Sequence, residues 1–248
     1  MTDDAALLRE LEALGDPADA EFLQGYFKTG PGEYGEGDVF IGVRMPAIRK
    51  AIKPFRDLQL EQIERVLASP VHEHRMAALL ICAEQAKRAR RAGDGARHKL
   101  IYDFYLAHAD RVNNWDLVDV TCRDVVGEYL LSRQDWRPLK KLARSKLLWE
   151  RRIAMISTWS FIRAGEVAPT FELAELLVDD PHDLMHKATG WMLRDAGKRD
   201  PAALEEFLAR HAKSMPRTAL RYAIEKMPSE RRRYWLARGR QPRAASSP

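Results

Sequence analysis

The sequence predicts an all-α chain, and three observations carry that prediction. Apolar residues recur at helical spacing almost throughout, sustained strand-type alternation is missing, and turn formers recur at intervals that suit ordinary helices. In chain order the breaks are Gly15-Asp16-Pro17, residues 30–38, Ser69-Pro70, Gly93-Asp94-Gly95, Asn113-Asn114, residues 165–169, residues 179–181, Asp200-Pro201, Met215-Pro216 and Met227-Pro228. They divide the chain into roughly a dozen or more helical segments. Between breaks, Ala77, Leu80, Ile81 and Glu84 mark one helical face, and Ile153, Ile156, Ser157, Ser160 and Phe161 another, with the two serines as small-residue packing positions. The glycine-rich stretch 30–38 lacks GK[ST] and carries three acids where a phosphate would sit, so it is expected to be a flexible connection and not a phosphate loop. Pro46 suits the first turn of the helix that follows it.

From residue 58 onward the segments form helix pairs at a spacing of about 35 to 40 residues, the period of HEAT-like helical repeats and not of a four-helix bundle. The predicted architecture is a HEAT-like, ARM-type superhelix with a concave basic cleft, built as one domain over residues 1–237. A small, polar, basic tail at 238–248 is expected to be disordered.

The 248 residues are 46% hydrophobic, enough for a sizeable core. Lys and Arg number 41 against 36 Asp and Glu, a net charge of +5 that favours a polyanionic partner. Basic residues cluster at 87–91, 137–146, 151–152 and 231–233. Any one such run, taken alone, is as readily a solvated helix face. Cys82 and Cys122 lie in apolar surroundings without CxxC or Cys-His spacing, which predicts buried free thiols. The pairs His72 and His74, His182 and His186 have no third ligand in register, so no metal site is expected. No apolar run approaches the roughly 20 residues needed to span a bilayer, and the acidic start Thr2-Asp3-Asp4 does not suit a secretory signal. A cytoplasmic, nucleoid-associated protein is expected.

Three segments combine an indole with a charge on one helix face. Asn113-Asn114-Trp115-Asp116-Leu117-Val118-Asp119 opens a helix with Trp115 and Asp119 at i, i+4. Trp149 and Arg152 stand at i, i+3, as do Trp191 and Arg194. Each tryptophan alone reads first as a core aromatic; Trp136, Trp159 and Trp235 share no motif and are assigned to packing. Asp116 suits capping of its own helix, and Asp124 and Asp195 are assigned structural roles.

Taken together, these motifs resemble the AlkD-type DNA alkylation repair glycosylases over nearly the whole chain. Tyr26-Phe27-Lys28 with Ile41-Gly42-Val43-Arg44-Met45-Pro46-Ala47-Ile48-Arg49-Lys50 is similar to that family's N-terminal signature. Asn114-Trp115-Asp116-Leu117-Val118-Asp119, Trp149-Glu150-Arg151-Arg152 and Ala188-Thr189-Gly190-Trp191-Met192-Leu193-Arg194 resemble its three cleft helices. The resemblance implies a HEAT-like superhelix that removes cationic alkylated purines from double-stranded DNA with no metal or organic cofactor. It implies that Asp119 is the catalytic aspartate, Trp115 and Trp191 the cleft tryptophans, Arg152 the cleft arginine, and Tyr26 a DNA contact. Arg44, Lys187 and Arg194 are expected to touch DNA as well. Asp195 stands where the family pattern has Glu. A non-catalytic protein that binds damaged or branched DNA and a protein-interaction scaffold are the competing readings; a monomer is expected in each.

Overall fold

The computed structural model describes residues 3–239, which fall into two compact units meeting in sequence at Tyr129 and Leu130. In the first unit, α1 (Asp4–Ala13) starts where the Asp3 carboxylate accepts the Ala6 N–H, and it buries Leu7 and Leu11 one turn apart. Asp16 caps α2 (Pro17–Tyr26), accepting the N–H groups of Ala18 and Asp19 with Pro17 in the first turn. Pro46 likewise lies in the first turn of α3 (Met45–Ala51), which runs into a 3-10 turn at Lys53–Phe55.

Next come α4 (Leu60–Leu67), α5 (His72–Arg91), α6 (Gly95–Ala107) and α7 (Trp115–Cys122). α5 is the central helix: it packs against α3, α4, α6 and α7 and is buried along most of its length. A π-helical turn at Arg123–Gly127 extends α7 into α8 (Glu128–Ser132), which spans the boundary between the units.

The connection before α3 departs from the sequence expectation. Residues 30–38 form ordered turns: Glu33 accepts the Gly30 N–H at 3.0 Å, Glu36 accepts that of Gly32 at 2.9 Å, and Asp38 is buried. The acids that argued against a phosphate loop satisfy the loop's own backbone donors. Immediately after it, the Glu73 carboxylate of α5 accepts the N–H groups of Ile41, Gly42 and Val43 at 3.2, 2.8 and 3.1 Å. Gly42 has φ +84°, and a Cβ there would lie 2.0 Å from the Asp16 carbonyl oxygen, so only glycine fits.

The second unit holds α9 (Arg137–Leu142), α10 (Leu148–Ala164), α11 (Ala168–Leu177), α12 (Asp183–Arg199), α13 (Pro201–His211), α14 (Arg217–Ala223) and α15 (Ser229–Arg238). α12 packs against α10, α11, α13 and α14. Ser157 and Ser160 are buried on α10, as their spacing predicts. A Cβ on Gly190 would meet the Ala219 carbonyl oxygen and the Tyr222 Cβ, both at 2.5 Å, so this glycine sets how closely α14 approaches α12.

The all-α, helical-repeat expectation is borne out. Pairs begin at residues 60, 95, 137, 168 and 201, an uneven period. Among the described residues the β-pairing is an isolated bridge between Val39 and Val71, and no helix is long and apolar enough to cross a membrane. Cys82 and Cys122 are buried thiols outside any disulfide, and burial pushes the Cys82 pKa up to about 12. Of the expected tail, Arg238 belongs to α15 and Gly239 donates to the Trp235 carbonyl. Residues 240–248 lie outside the described residues.

Candidate active site

α7 sorts its side chains by face. Leu117, Val118, Thr121 and Cys122 are buried, and Thr121 meets the Tyr105 hydroxyl at 2.8 Å. Trp115 and Asp119, one turn apart, are half-buried on the other side, as their spacing predicts. The cap is Asn114, not Asp116: its Oδ1 accepts the Trp115 N–H at 2.8 Å. Downstream, the Arg123 guanidinium donates Nε–H to the Asp119 carbonyl oxygen at 3.0 Å as the helix widens into its π turn.

The Trp115 ring stacks on Phe27 at 5.3 Å between centroids, meets Tyr26 edge-on at 6.2 Å, and donates its indole N–H to the Tyr34 hydroxyl at 3.2 Å. Tyr26 is 55% exposed and stacks on Phe22, which is 56% exposed. Arg44 lies over the Phe22 ring at 5.0 Å and pairs with Asp19. Phe22, Tyr26 and Phe27 wall a cavity of about 310 Å³ that also reaches Phe40, His72 and Asp116.

Behind this aromatic layer lies a buried polar cluster. His72 sits between two carboxylates, Nδ1 at 3.1 Å from Asp38 and Nε2 at 3.0 Å from Asp116. Asp38 also accepts from Arg75 and from Asn114 Nδ2, the latter at 3.3 Å, and Asp116 accepts the Leu117 N–H at 2.8 Å. Burial works against a charge on His72, but the hydrogen bonds and charges of Asp116 and Asp38 outweigh it and push its pKa up to about 9. Burial likewise opposes ionisation of Asp38, yet His72, Arg75 and Asn114 together hold it below the usual carboxylate range. The imidazolium is thus enclosed by opposite charge.

In the second unit, Arg152 of α10 is 4% exposed and donates Nη1–H to the Leu184 carbonyl at 2.6 Å, tying α10 to the first turn of α12. Trp149 is buried, so on this helix the indole joins the core and is not displayed. On α12 Trp191 is half-buried and donates its indole N–H to Asp195 at 3.0 Å. Asp195 also accepts from Lys198 at 2.7 Å and from Arg194 at 3.4 Å. Arg194 pairs further with Glu225, and Lys187 with Asp183 at 2.9 Å. The three cations Arg44, Lys187 and Arg194 therefore each hold a carboxylate partner.

The remaining histidines and carboxylates have structural surroundings. The His182 ring accepts the Leu184 N–H at the start of α12, and His186 donates to the Asp180 carbonyl. Asp124 pairs with Lys87. Trp136 and Trp235 donate to Glu172 and Glu205, while Trp159 lies beneath the Arg163 guanidinium.

Sequence reasoning passed over Tyr34, Asp38 and His72. Their only local signal is a glycine-rich, acidic stretch and a histidine at a helix start; their partners lie 81, 76 and 44 positions away. It also passed over a basic strip. Arg49, Lys50 and Lys53 are exposed on α3 and the following turn, and among the described residues they make no ion pair. With Arg56 and Lys87, Arg49 and Lys53 border a cavity of about 360 Å³ that reaches Val120, the neighbour of Asp119.

An all-α repeat chain that displays an indole and a carboxylate on one helix is the class defined by these features. The chain belongs to the DNA alkylation repair enzyme family, whose model matches residues 7–227. A solved structure described as a predicted DNA alkylation repair enzyme from Enterococcus faecalis matches with a TM-score of 0.68 and 18% identity. The match covers 87% of this chain and 97% of that one, a likeness of fold. No curated protein matches the chain.

Proposed function

We propose that the protein is a DNA glycosylase that hydrolyses the N-glycosidic bond of cationic alkylated purines, of the 3-methyladenine and 7-methylguanine type, in double-stranded DNA and leaves an abasic site. The observation that carries this reading is the display of Trp115 and Asp119 together on α7 in a chain of the DNA alkylation repair family. Alkylation at a ring nitrogen makes the purine a cationic leaving group, so the bond breaks without a general acid and one carboxylate suffices. As the base departs, positive charge grows on the deoxyribose; ionised Asp119 stabilises that charge and orients the attacking water. At about 4 Å and an effective dielectric near 20, such an attraction is worth about 4 kcal/mol, and the part that grows toward the transition state accelerates the reaction.

Trp115 and Trp191 offer indole faces to the sugar and backbone around the lesion. Tyr26, exposed beside Trp115, extends that surface. The planar guanidinium of Arg152, a fork of donors that matches phosphate geometry, is assigned to the phosphate beside the lesion. Arg44, Lys187 and Arg194 reach DNA by exchanging their carboxylate partners for phosphates. The basic face includes Arg49, Lys50 and Lys53, whose unpaired charge near α7 supports phosphate binding. The protein acts as a cytoplasmic, nucleoid-associated monomer with no metal or organic cofactor.

The decisive experiment is base release from a duplex carrying a single 7-methylguanine, with Asp119→Asn as the reference variant. Wild type is expected to release free base and leave abasic sites, and Asp119→Asn to bind the duplex but lose most of the rate. Wild-type-like release by that variant would falsify the assignment. Tight DNA binding with no release by either protein would favour a non-catalytic sensor of damaged DNA.

A further inference from the structure

We propose that residues 30–38 are a clamp that positions α7 for its work on DNA, gripping Trp115 through the Tyr34 hydroxyl and the start of the helix through Asp38 and His72. The proposal rests on the glycosylase reading for the purpose of the clamp, but not for its existence.

Two arms reach α7 from this one loop. The first is the hydrogen bond from the Trp115 indole to Tyr34, which adds a polar tether to an indole already stacked on Phe27. Two contacts in different directions leave the ring one orientation. The second arm runs from Asp38 to Asn114, the capping residue, and through His72 to Asp116, whose other oxygen holds the Leu117 N–H. The first turn of α7 is thereby fastened on both sides of Trp115, where a helix end would otherwise fray. Asp119 lies one turn further on.

The loop is built to hold its own shape. Glu33 and Glu36 close on Gly30 and Gly32, Gly35 N–H donates to the Lys28 carbonyl at 3.1 Å, and Asp38 N–H donates to that of Gly35 at 3.0 Å. The groups facing His72 are Asp38 from the loop, Asp116 from α7 and Arg75 from its own helix. Glu73 beside it is occupied by the N–H groups of residues 41 to 43, and Arg111 acts on Arg75 from beyond. With carboxylates at both ring nitrogens, the second arm needs His72 as imidazolium, because a neutral ring can donate to only one of them. Misplacement of a reacting group lowers rate more than affinity, so Tyr34, Asp38 and His72 are positioning residues.

The test uses the full chain labelled with 5-fluorotryptophan, its Trp115 fluorine resonance assigned through Trp115→Phe, together with single-turnover base release at neutral pH. Tyr34→Phe is expected to shift the Trp115 resonance and to slow release on the order of tenfold with duplex affinity little changed. In wild type the resonance should also move as pH rises through about 9, and His72→Gln should remove that step. A Trp115 resonance indifferent to Tyr34→Phe and to pH, or wild-type release rates in Tyr34→Phe, overturns the clamp. If His72→Gln does not fold, Tyr34→Phe, which removes one hydroxyl, decides alone. A responsive resonance in a wild-type protein that releases no base supports the clamp and overturns the glycosylase reading.

Discussion

Asp116 and Asp119 stand three residues apart on α7 and meet different surroundings. Asp116 is bound to His72 and to the Leu117 N–H, while Asp119 is half-buried on the face that carries Trp115. The first carboxylate is committed to structure, and its charge is matched by an imidazolium. That match has a consequence for stability with a definite sign. The folded-state pKa of His72 is about 9, above its ordinary value of 6.5, so the folded protein binds this proton more tightly than the unfolded chain. The contribution is complete below pH 6.5 and is lost as pH rises through about 9, at up to roughly 1.4 kcal/mol per pH unit within the window. Asp38, held low, acts in the opposite sense and loses its contribution as pH falls through the carboxylate range. Urea denaturation between pH 6 and 10 should show stability falling toward the alkaline end, and the slope should flatten in His72→Gln.

Among the elements, α12 shows how a binding motif and a packing motif share residues. Gly190 and Trp191 are neighbours in sequence: one faces α14 at close range, the other is half-buried and tethered to Asp195. The glycine beside the tryptophan is there for α14. Gly190→Ala places a methyl group 2.5 Å from a backbone carbonyl, and the overpacking is expected to cost about 1–3 kcal/mol. Thermal or urea unfolding measures it; an unchanged midpoint would mean that α14 moves freely away from α12. The helices themselves were readable because every break foreseen from Gly, Pro, Asn and Asp coincides with a helix boundary. The π turn at Arg123–Gly127 was not, since Arg-Asp-Val-Val-Gly holds no signal that separates a π turn from an ordinary helical one.

For the whole molecule, the net charge of +5 says less than its pairing. The basic runs conspicuous in sequence are neutralised locally in part: Lys87 by Asp124, Arg88 by Asp57, Arg137 by Asp135, Lys140 by Glu172, Arg151 by Asp180 and Arg231 by Glu205. The shorter strip Arg49, Lys50 and Lys53 has no such partner among the described residues, so its charge is open to a polyanion. Arg49→Ala with Lys53→Ala is expected to weaken duplex binding regardless of sequence and to reduce the slope of log affinity against log salt by up to about 2. Release under single-turnover conditions at saturating protein should be unchanged. An unaltered salt slope would remove these residues from the DNA surface.

Helical periodicity and turn chemistry by themselves determined that this chain is all α, where most of its helices break, and that Trp115 and Asp119 share a helix face, because each depends on residues within one or two turns of each other. The resemblance to the DNA alkylation repair family likewise needs only motifs in order. Tertiary structure alone decided that Tyr34, Asp38 and His72 converge on α7, that Trp149 belongs to the core while Trp191 stays half-exposed, and which cations remain without a carboxylate. Those outcomes depend on contacts between residues tens of positions apart, and burial and charge pairing are settled only when the chain brings such residues within a few ångströms.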